Sequence, residues 1–452
     1  VGSRDAAPTT ALADALREWL PAQRWFAGKG SPIDDVWTVQ EAELAENLLH
    51  AVIGVAQNGS HEYYQLVLAS AAEPSDYLRS VAIGELDGGW YYDVASDSES
   101  AGRLLGLFDS SQPDGAPRFE PEPGVHLEQG LRARPITAEQ SNSSIVFGHH
   151  YILKLFRKLS YGENRDLRLH RGLHAAGSSH IARPIGAVSG EVDDKHVTFG
   201  IMHEFLSHAV EGWVLATASV RDLMAEADLH AEEVGGDFAA EAHRLGAAVA
   251  RVHADLAGVF GVERLDGSGL SELVASMHRR LDEVLMLVPD LGKYEEQVRE
   301  TFDAAEATGD PFDVQQVHAD LHLGQTMRSN TGWILIDFEG EPGIPAPERG
   351  AAQSALADVA GMIRSFDYAA HQHLVGYPAD HQHAVRGKEW AARNADAFCD
   401  GYAEAGTDPR AHGPLLRAFV LHKAVYEVAY EFANRPDWLD IPLGAIRRIT
   451  EG

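Results

Sequence analysis

Residues 317–339, VHADLHLGQTMRSNTGWILIDFE, bring together side chains whose types and order suit one chemistry. His318-Ala319-Asp320 is followed five positions later by Gln325, and Asp337 closes the apolar run 333–336. Moving a phosphoryl group onto an alcohol needs a carboxylate to orient the hydroxyl and take its proton. It also needs oxygen ligands for magnesium on the nucleotide phosphates. Asp320 suits the first task, and Gln325 and Asp337 suit the second. Their order follows the kinase pattern H-x-D-x-x-x-x-N and then Asp-Phe, with Gln in place of Asn. Glu339 stands on the same loop. An H-x-D tripeptide alone is common, and an Asp after a strand often only turns the chain. The agreement of three elements in order favours phosphoryl transfer over a polar turn between core strands. His318 then reads as an anchor of the loop, since Asp320 already holds the base position.

The donor nucleotide would need its own cradle. Residues 137–156 read as strand, turn and strand, with the turn at Gln140-Ser141-Asn142-Ser143-Ser144. It lacks G-x-G-x-x-G, but small polar residues can bring N–H groups and hydroxyls to phosphate oxygens. Lys154 lies inside the apolar strand 152–156, where a lysine is costly unless it has a partner. Only seven of the 37 Lys+Arg are lysines, which favours a phosphate-binding role for it over an edge position facing water. Met202-His203-Glu204 would meet adenine through its backbone. Gly28 and Gly30 flank a single lysine and read as a turn.

Composition bounds the partners. Lys+Arg 37 against Asp+Glu 68 gives a net charge of −31, which argues against nucleic acid and anionic membrane and confines any phosphate site to a local pocket. The single cysteine, Cys399, cannot close an intrachain disulfide and fits a reducing cytoplasm. No apolar run approaches a membrane span, and no signal-peptide pattern opens the chain. A cytoplasmic protein is expected, with no evident protein partner.

These residues must be held by two kinds of structure. Residues 1–10 read as a disordered leader and 10–20 as a helix ended by Pro21. Alternating segments near 36–39, 48–55 and 63–68 suggest a strand-rich unit. Strands are expected at 144–148, 151–156 and 200–205. After about 206 the pattern turns helical, at 219–227, 237–257, 272–288, 293–307, 387–405 and 415–434. The expected architecture is α+β and bilobal, protein-kinase-like, with boundaries at 1–90, 91–205 and 206–452. The HQH triplets at 371–373 and 381–383 read as a polar surface loop.

QQVHADLHLGQ, WILIDFEGEP, VEGWVLATASVRDL, EVGGDFAAEAHRLG, DVAGMIRSFDYAA and KAVYEVAYE-x-x-x-RPDWLDIPL together resemble the actinobacterial maltokinase family, from PAQRWFAGKG to the C-terminus. The resemblance implies an aminoglycoside-phosphotransferase-like fold with an N-terminal cap (1–90), a β-rich intermediate subdomain (91–205) and a helical C-lobe (206–452). It implies ATP and Mg2+, with Asp320 as base and Gln325, Asp337 and Glu339 at the metal. Ser141, Asn142, Ser143, Ser144, Lys154, Met202 and Glu204 would hold the nucleotide. Asp320, His322, Lys423, Tyr426, Tyr430, Glu431 and Trp438 would line the sugar pocket, with Arg435 beside them. Tyr426/Tyr430 and Glu427/Glu431 are i,i+4 pairs, although such stripes also serve core packing.

The chain departs from the family at 349–358 and at His422, where charged and proline positions near the acceptor become small or neutral. The sequence is thereby closer to the branch that phosphorylates glucosamine at O6; maltose phosphorylated to maltose 1-phosphate is the alternative. Arg168 replaces a Glu expected to pair with Lys154, leaving Glu163 or Asp166 as substitutes.

Overall fold

The computed structural model describes residues 9–86, 88–136, 141–225, 230–233, 237–341, 350–375 and 381–451. Residues 1–8 of the expected leader, residues 137–140 of the phosphate-covering segment and Arg349 lie outside them, while residues 9 and 10 open the first helix. The chain divides into two compact units, residues 1–168 with 182–207, and residues 169–181 with 208–452.

In the first unit, helix α1 (Thr9–Trp19) places Leu12 and Leu16 on one face, and both are buried with Ile53, Tyr64, Leu66 and Leu68. Those residues belong to an antiparallel sheet of β1 (Asp35–Ala45), β2 (Leu48–Gln57), β3 (Ser60–Ala71), β4 (Gly84–Leu86) and β5 (Gly89–Asp93), in the order β1-β2-β3-β5-β4. Between β3 and β4 lies the short helix α2 (Asp76–Val81), and after β5 comes α3 (Ser98–Leu107). The carboxylate of Asp97 starts α3 by accepting the N–H of Glu99 and of Ser100, at 3.3 and 2.9 Å.

A second antiparallel sheet contains β6 (Arg118–Pro121), β7 (Ala133–Ile136), β8 (Asn142–Phe147), β9 (Tyr151–Phe156), β10 (Pro184–Val192) and β11 (Lys195–Glu204), in the order β6-β10-β11-β9-β8-β7. Buried Gln65 ties the two sheets together. Its amide donates to the carbonyls of Phe156, at 2.7 Å, and Phe199, while its oxygen meets His50 Nε2 at 3.2 Å. Helix α4 (Arg165–Ala175) follows β9.

The second unit begins with β12 (Val210–Glu211) and α5 (Gly212–Ala225), then α6 (Ala239–Phe260), β13 (Val262–Leu265), α7 (Gly267–Leu287), α8 (Glu295–Glu306) and β14 (Phe312–Gln315). It continues with β15 (Thr326–Arg328), β16 (Trp333–Leu335), α9 (Ala355–His371), α10 (His381–Ala405), α11 (Gly413–Asn434) and α12 (Asp440–Glu451). Phe238, Trp333, Phe366, Trp390 and Phe398 centre its core. Among the described residues no helix is long and apolar enough to cross a membrane.

The helices α3, α4 and α12 and the strands β6, β7 and β10 were not foreseen, and three further local readings differ from the sequence expectation. Helix α9 was not foreseen because it is buried on nearly every side, Asp358, Arg364 and Ser365 included, so it lacks a polar stripe. The HQH triplets belong to helix ends: His371 ends α9 with its Nδ1–H on the Asp367 carbonyl at 2.7 Å, and the second triplet opens α10. The turn expected at 140–144 is strand from Asn142 onward. Register against β9 pairs Asn142 with Phe156 and Ser144 with Lys154, which satisfies their backbone groups as a ladder.

Candidate active site

The site is built on the loop between β14 and β15. Ala319 has φ +71° and Asp337 has φ +65°, a left-handed conformation that costs a non-glycine residue about 1–2 kcal/mol. Such strain persists only where surrounding bonds overdetermine the backbone. Here those bonds are visible. The buried carboxylate of Asp358, on α9, accepts the N–H of His318 at 2.7 Å and the N–H of Ala319 at 2.8 Å. It also accepts Nε2–H of His253, on α6, at 2.9 Å, and that ring's Nδ1 accepts Tyr402 Oη–H at 2.8 Å. Burial works to raise the Asp358 carboxyl, but the bond from His253 and the charge and N–H at His318 hold it below the ordinary carboxylate range. His318 Nε2–H donates to the Ile336 carbonyl at 2.8 Å, its Nδ1 faces the N–H of Asp320 at 3.4 Å, and its ring packs on Phe338. His318 thus joins the loop carrying Asp320 to the segment carrying Asp337.

Gln325 ends the 3-10 turn Leu323–Gln325, and its Nε2–H donates to Asp337 Oδ2 at 3.4 Å. The N–H of Ile336 returns to the Gln325 carbonyl at 3.0 Å, fixing the two ends together. Carboxylate oxygens of Asp337 and Glu339 lie within 4.8 Å of each other. An amide oxygen and two carboxylates form an all-oxygen donor set, which suits magnesium and excludes a soft-metal preference.

On the other side of Asp320, Lys423 from α11 places Nζ 3.4 Å from Asp320 Oδ1 and directly on the carboxylate of Glu341. Burial alone would lower the Lys423 ammonium, yet Glu341 and Asp320 more than offset this and hold it above the ordinary lysine range. The ammonium also lies over the Tyr426 ring, 4.8 Å from its centroid, and Tyr426 stacks with Tyr430 at 6.4 Å. Burial, reinforced by the Glu341 charge, pushes the Tyr426 phenol up to about 12, so it remains a hydrogen-bond donor. His322 Nδ1 accepts the Gly324 N–H at 3.1 Å, and burial pushes the imidazole down, so it stays neutral.

Glu341 escaped sequence reasoning. It lies four residues beyond Asp337, and its role depends on a contact with a residue 82 positions away. Asp358 escaped likewise, although it stands in the DVAGMIRSFDYAA motif. Glu431 is present on α11 but faces α9. Its two oxygens take Arg435 Nε and Nη2 at 2.9 and 2.6 Å, and Tyr368 Oη–H at 3.1 Å, leaving it 1% exposed. Trp438 stacks on Tyr368 and lies under the Arg435 guanidinium. Asp320, Lys423, Tyr426 and Tyr430 therefore form one group, and Glu431, Arg435 and Trp438 a second that borders it, the Arg435 guanidinium lying 5.4 Å from the Tyr430 ring centroid.

In the first unit, Lys154 stands in β9 with Nζ 5.8 Å from the Phe156 ring centroid. Ser141 is exposed, while Asn142, Ser143 and Ser144 are buried in β8. The Ser143 hydroxyl accepts Arg157 Nε–H at 2.8 Å, and Arg157 is held bidentate by Asp93 at 2.7 Å. Met202 is buried in the sheet core. Glu204 is exposed at the end of β11, with its N–H on the Arg183 carbonyl at 2.9 Å. Asp166 is buried in the first turn of α4, whereas Glu163 is exposed.

An H-x-D loop with a paired Gln and Asp in the second unit, and a lysine-bearing three-strand meander of β7, β8 and β9 in the first, define a kinase-like phosphotransferase. Residues 132–405 match the phosphotransferase enzyme family, APH, and residues 19–97 match the maltokinase N-terminal cap domain. The chain belongs to that phosphotransferase family, and the kinship read from its motifs is borne out. A glucosamine kinase of Streptacidiphilus jiangxiensis is 27% identical over 341 residues, covering 71% of this chain and 76% of that protein. One of Mycolicibacterium smegmatis is 28% identical over 335 residues, covering 70% and 79%. A solved glucosamine kinase in complex with glucosamine, ADP and inorganic phosphate superposes with a TM-score of 0.68 at 21% identity, covering 96% of this chain and 98% of that one. A second crystal form gives 0.70 at 21% identity, covering 96% and 99%. These structures share the fold expected for the chain.

Proposed function

We propose that this protein is an ATP-dependent glucosamine kinase that transfers the γ-phosphoryl group to O6 of D-glucosamine. The observation that carries the acceptor is the charge balance beside the base. Two carboxylates, Asp320 and Glu341, face the single ammonium of Lys423. The nearest other cation over Tyr426, Arg280, has its own acidic partner in Glu283 at 3.8 Å. A cationic sugar completes the neutralisation, whereas a neutral sugar leaves a net negative charge in a partly dry site. The two named relatives, both glucosamine kinases, support the same reading.

Asp320 accepts the proton of the 6-hydroxyl as that oxygen attacks the γ-phosphorus and the bond to the β-phosphate oxygen breaks. Lys423 keeps the Asp320 carboxylate aimed, and the Tyr426–Tyr430 stack offers a face to the sugar's C–H surface. Glu341 is better placed than Glu431 to meet the substrate ammonium, because Glu431 is enclosed by Arg435 and Tyr368. Gln325, Asp337 and Glu339 would hold Mg2+, which when bound neutralises charge on the phosphates. Lys154 would meet the nucleotide phosphates, Ser141 the phosphate-covering turn, and the backbone at Met202–Glu204 the base.

The test is a parallel assay of glucosamine, N-acetylglucosamine, glucose and maltose with ATP, reading ADP release and the phosphorylated product. Glucosamine should lead, and N-acetylation should abolish turnover, because it removes the charge and adds bulk. Robust conversion of maltose with none of glucosamine would replace this reading with maltose 1-phosphate synthesis.

A further inference from the structure

Among the described residues Arg157 is the most deeply buried arginine, at 0% exposure. Shut off from solvent, its guanidinium cannot touch a ligand. It stands one residue beyond β9 and three beyond Lys154, and its N–H groups are committed on two sides. Nη1 and Nη2 each donate to an oxygen of Asp93, at the end of β5, at 2.7 Å. Nε–H donates to Ser143 Oγ, in β8, at 2.8 Å. The guanidinium also lies over the Trp25 indole, 5.0 Å from its centroid. Asp93 is itself fixed, since its Oδ1 accepts the Ala95 N–H at 2.9 Å.

A buried ion pair is a weak source of stability. Taking both charges out of water costs about what their attraction returns, and well-packed apolar residues often serve as well or better. What a bidentate pair does supply is geometry, because two parallel N–H···O bonds hold in one arrangement only. The arrangement held here is that of the strand carrying Lys154. Beyond β9 the chain runs along β3 of the other sheet. Gln65 N–H donates to the Arg157 carbonyl and Leu159 N–H to the Tyr63 carbonyl, both at 2.8 Å, and Tyr64 bridges Lys158. One segment therefore belongs to the second sheet at Lys154 and to the first from Arg157 onward.

The bond to Ser143 carries this fixation to the facing strand. Register pairs Ser143 with Leu155 and Ser144 with Lys154, so Ser143 adjoins the residue opposite the lysine. Two positions before Ser143, Ser141 is exposed just ahead of β8. Both strands of the hairpin are thus tied to one point, the Asp93 carboxylate. We propose that Arg157 is a positioning residue for the phosphoryl donor: through Asp93 and Ser143 it fixes where Lys154 and the adjoining turn meet the nucleotide phosphates. The proposal rests on the reading of ATP as donor and Lys154 as its contact.

The experiment compares wild type, Ser143→Ala, the double variant Asp93→Asn/Arg157→Met, and Lys154→Ala. Calorimetry reads Mg·ATP binding, steady-state kinetics reads KM for ATP and for the sugar, and urea unfolding reads stability. Removing Arg157 alone leaves the Asp93 carboxylate buried without a cation, so that single variant should fold poorly. The double variant removes both charges and keeps an oxygen for the Ala95 N–H, so its unfolding midpoint should lie much closer to wild type. It should nonetheless bind ATP about 10- to 100-fold more weakly, the range for the charged hydrogen bond that a displaced Lys154 forfeits. KM for the sugar should stay unchanged. Ser143→Ala should show the same donor-specific loss to a smaller degree, and it decides alone if the double variant does not accumulate. Wild-type ATP affinity in the variants that fold would overturn the proposal, and so would equal weakening of ATP and sugar. Lys154→Ala separates the two readings. If it weakens ATP while the other variants do not, only the positioning role falls; if it leaves ATP untouched, the donor reading of the hairpin falls and the proposal with it.

Discussion

Asp358 offers the most exacting test of how this site is held, because it fixes the loop that carries Asp320 while standing outside the proposed substrate-binding residues. Asp358→Ala removes the acceptor of three donors: the N–H of His318 at 2.7 Å, the N–H of Ala319 at 2.8 Å and His253 Nε2–H at 2.9 Å. A buried donor left without a partner costs about 1–3 kcal/mol, so the three together cost on the order of 5 kcal/mol. That rivals the about 5–15 kcal/mol by which domains are stable, and this variant should unfold easily or fail to accumulate. Asp358→Asn is the usable probe. Its amide keeps one oxygen but presents an NH2 to one of the donors, which should cost about 1–3 kcal/mol. With that bond lost, Ala319 can relax out of its positive φ, and Asp320 moves with it. Misplacing a base by about 1 Å can cost on the order of 100-fold in turnover. Urea unfolding should show a lower midpoint, and kcat should fall far more than Mg·ATP affinity changes. An Asp358→Asn enzyme with wild-type midpoint and wild-type kcat would refute the argument.

The same residue gives a pH signature. Its folded carboxyl lies below the ordinary value, so its stabilising share is complete above the unfolded value of about 3.9. That share drains away as pH falls through the lower folded value. Asp358→Asn should therefore flatten the acid limb of a stability-against-pH curve while leaving the neutral region parallel to wild type. Steepening of that limb would reverse the assigned sign.

Asp320→Asn should lose about 10²–10⁴-fold in kcat while nucleotide affinity and the unfolding midpoint stay near wild type, since only the proton acceptor is removed; near-normal turnover would exclude Asp320 as base. Asp337→Ala should abolish the magnesium dependence of ATP binding measured by calorimetry, and unchanged Mg·ATP affinity would remove it from the metal set. Lys423→Met leaves Asp320 and Glu341 facing each other without a cation, so one of them holds a proton more tightly. The acid limb of kcat should move to higher pH and the unfolding free energy should drop by up to about 3–5 kcal/mol; an unshifted pH profile would deny Lys423 its positioning role. Lys154→Ala should weaken ATP equally whichever sugar is offered, and a sugar-dependent loss would move Lys154 to the acceptor side.

How much of this was legible beforehand depended on whether a residue's role is local in sequence. Asp320, Gln325 and Asp337 are read from order and spacing because the loop and the following strand pair are contiguous, and β15 with β16 brings Gln325 back to Asp337 within a dozen residues. Most helices of the second unit were read from a one-sided apolar stripe; α9 lacks one, and α12 went unread although Ile441, Ala445 and Ile446 line its buried face. Residues whose partners lie far along the chain were not readable: Glu341 acquires its role only from Lys423, and Asp358 only from the backbone of a loop about forty residues earlier.

Helix α11 shows where periodicity stops being informative. Lys423, Tyr426 and Tyr430 recur at i, i+3 and i+7, while Glu427 and Glu431 recur at i and i+4, so both sets are stripes on one helix. Nothing in the spacing says which stripe borders a pocket. The partner helix decides it. α9 carries its own i,i+4 pair, Arg364 and Tyr368, and these meet Glu427 at 2.7 Å and Glu431 at 3.1 Å in register. Two complementary polar stripes zipped together are buried structure, with Asp367 further held by Arg364 and Arg448 at 2.7 Å. The stripe left over, bearing the lysine and the stacked tyrosines, is the one that remains to meet a ligand. Carboxylates on a sugar-binding helix are therefore informative only after their partners on neighbouring helices have been subtracted, and on that basis Glu341, not Glu431, is the acid to mutate first when the amine of the substrate is in question.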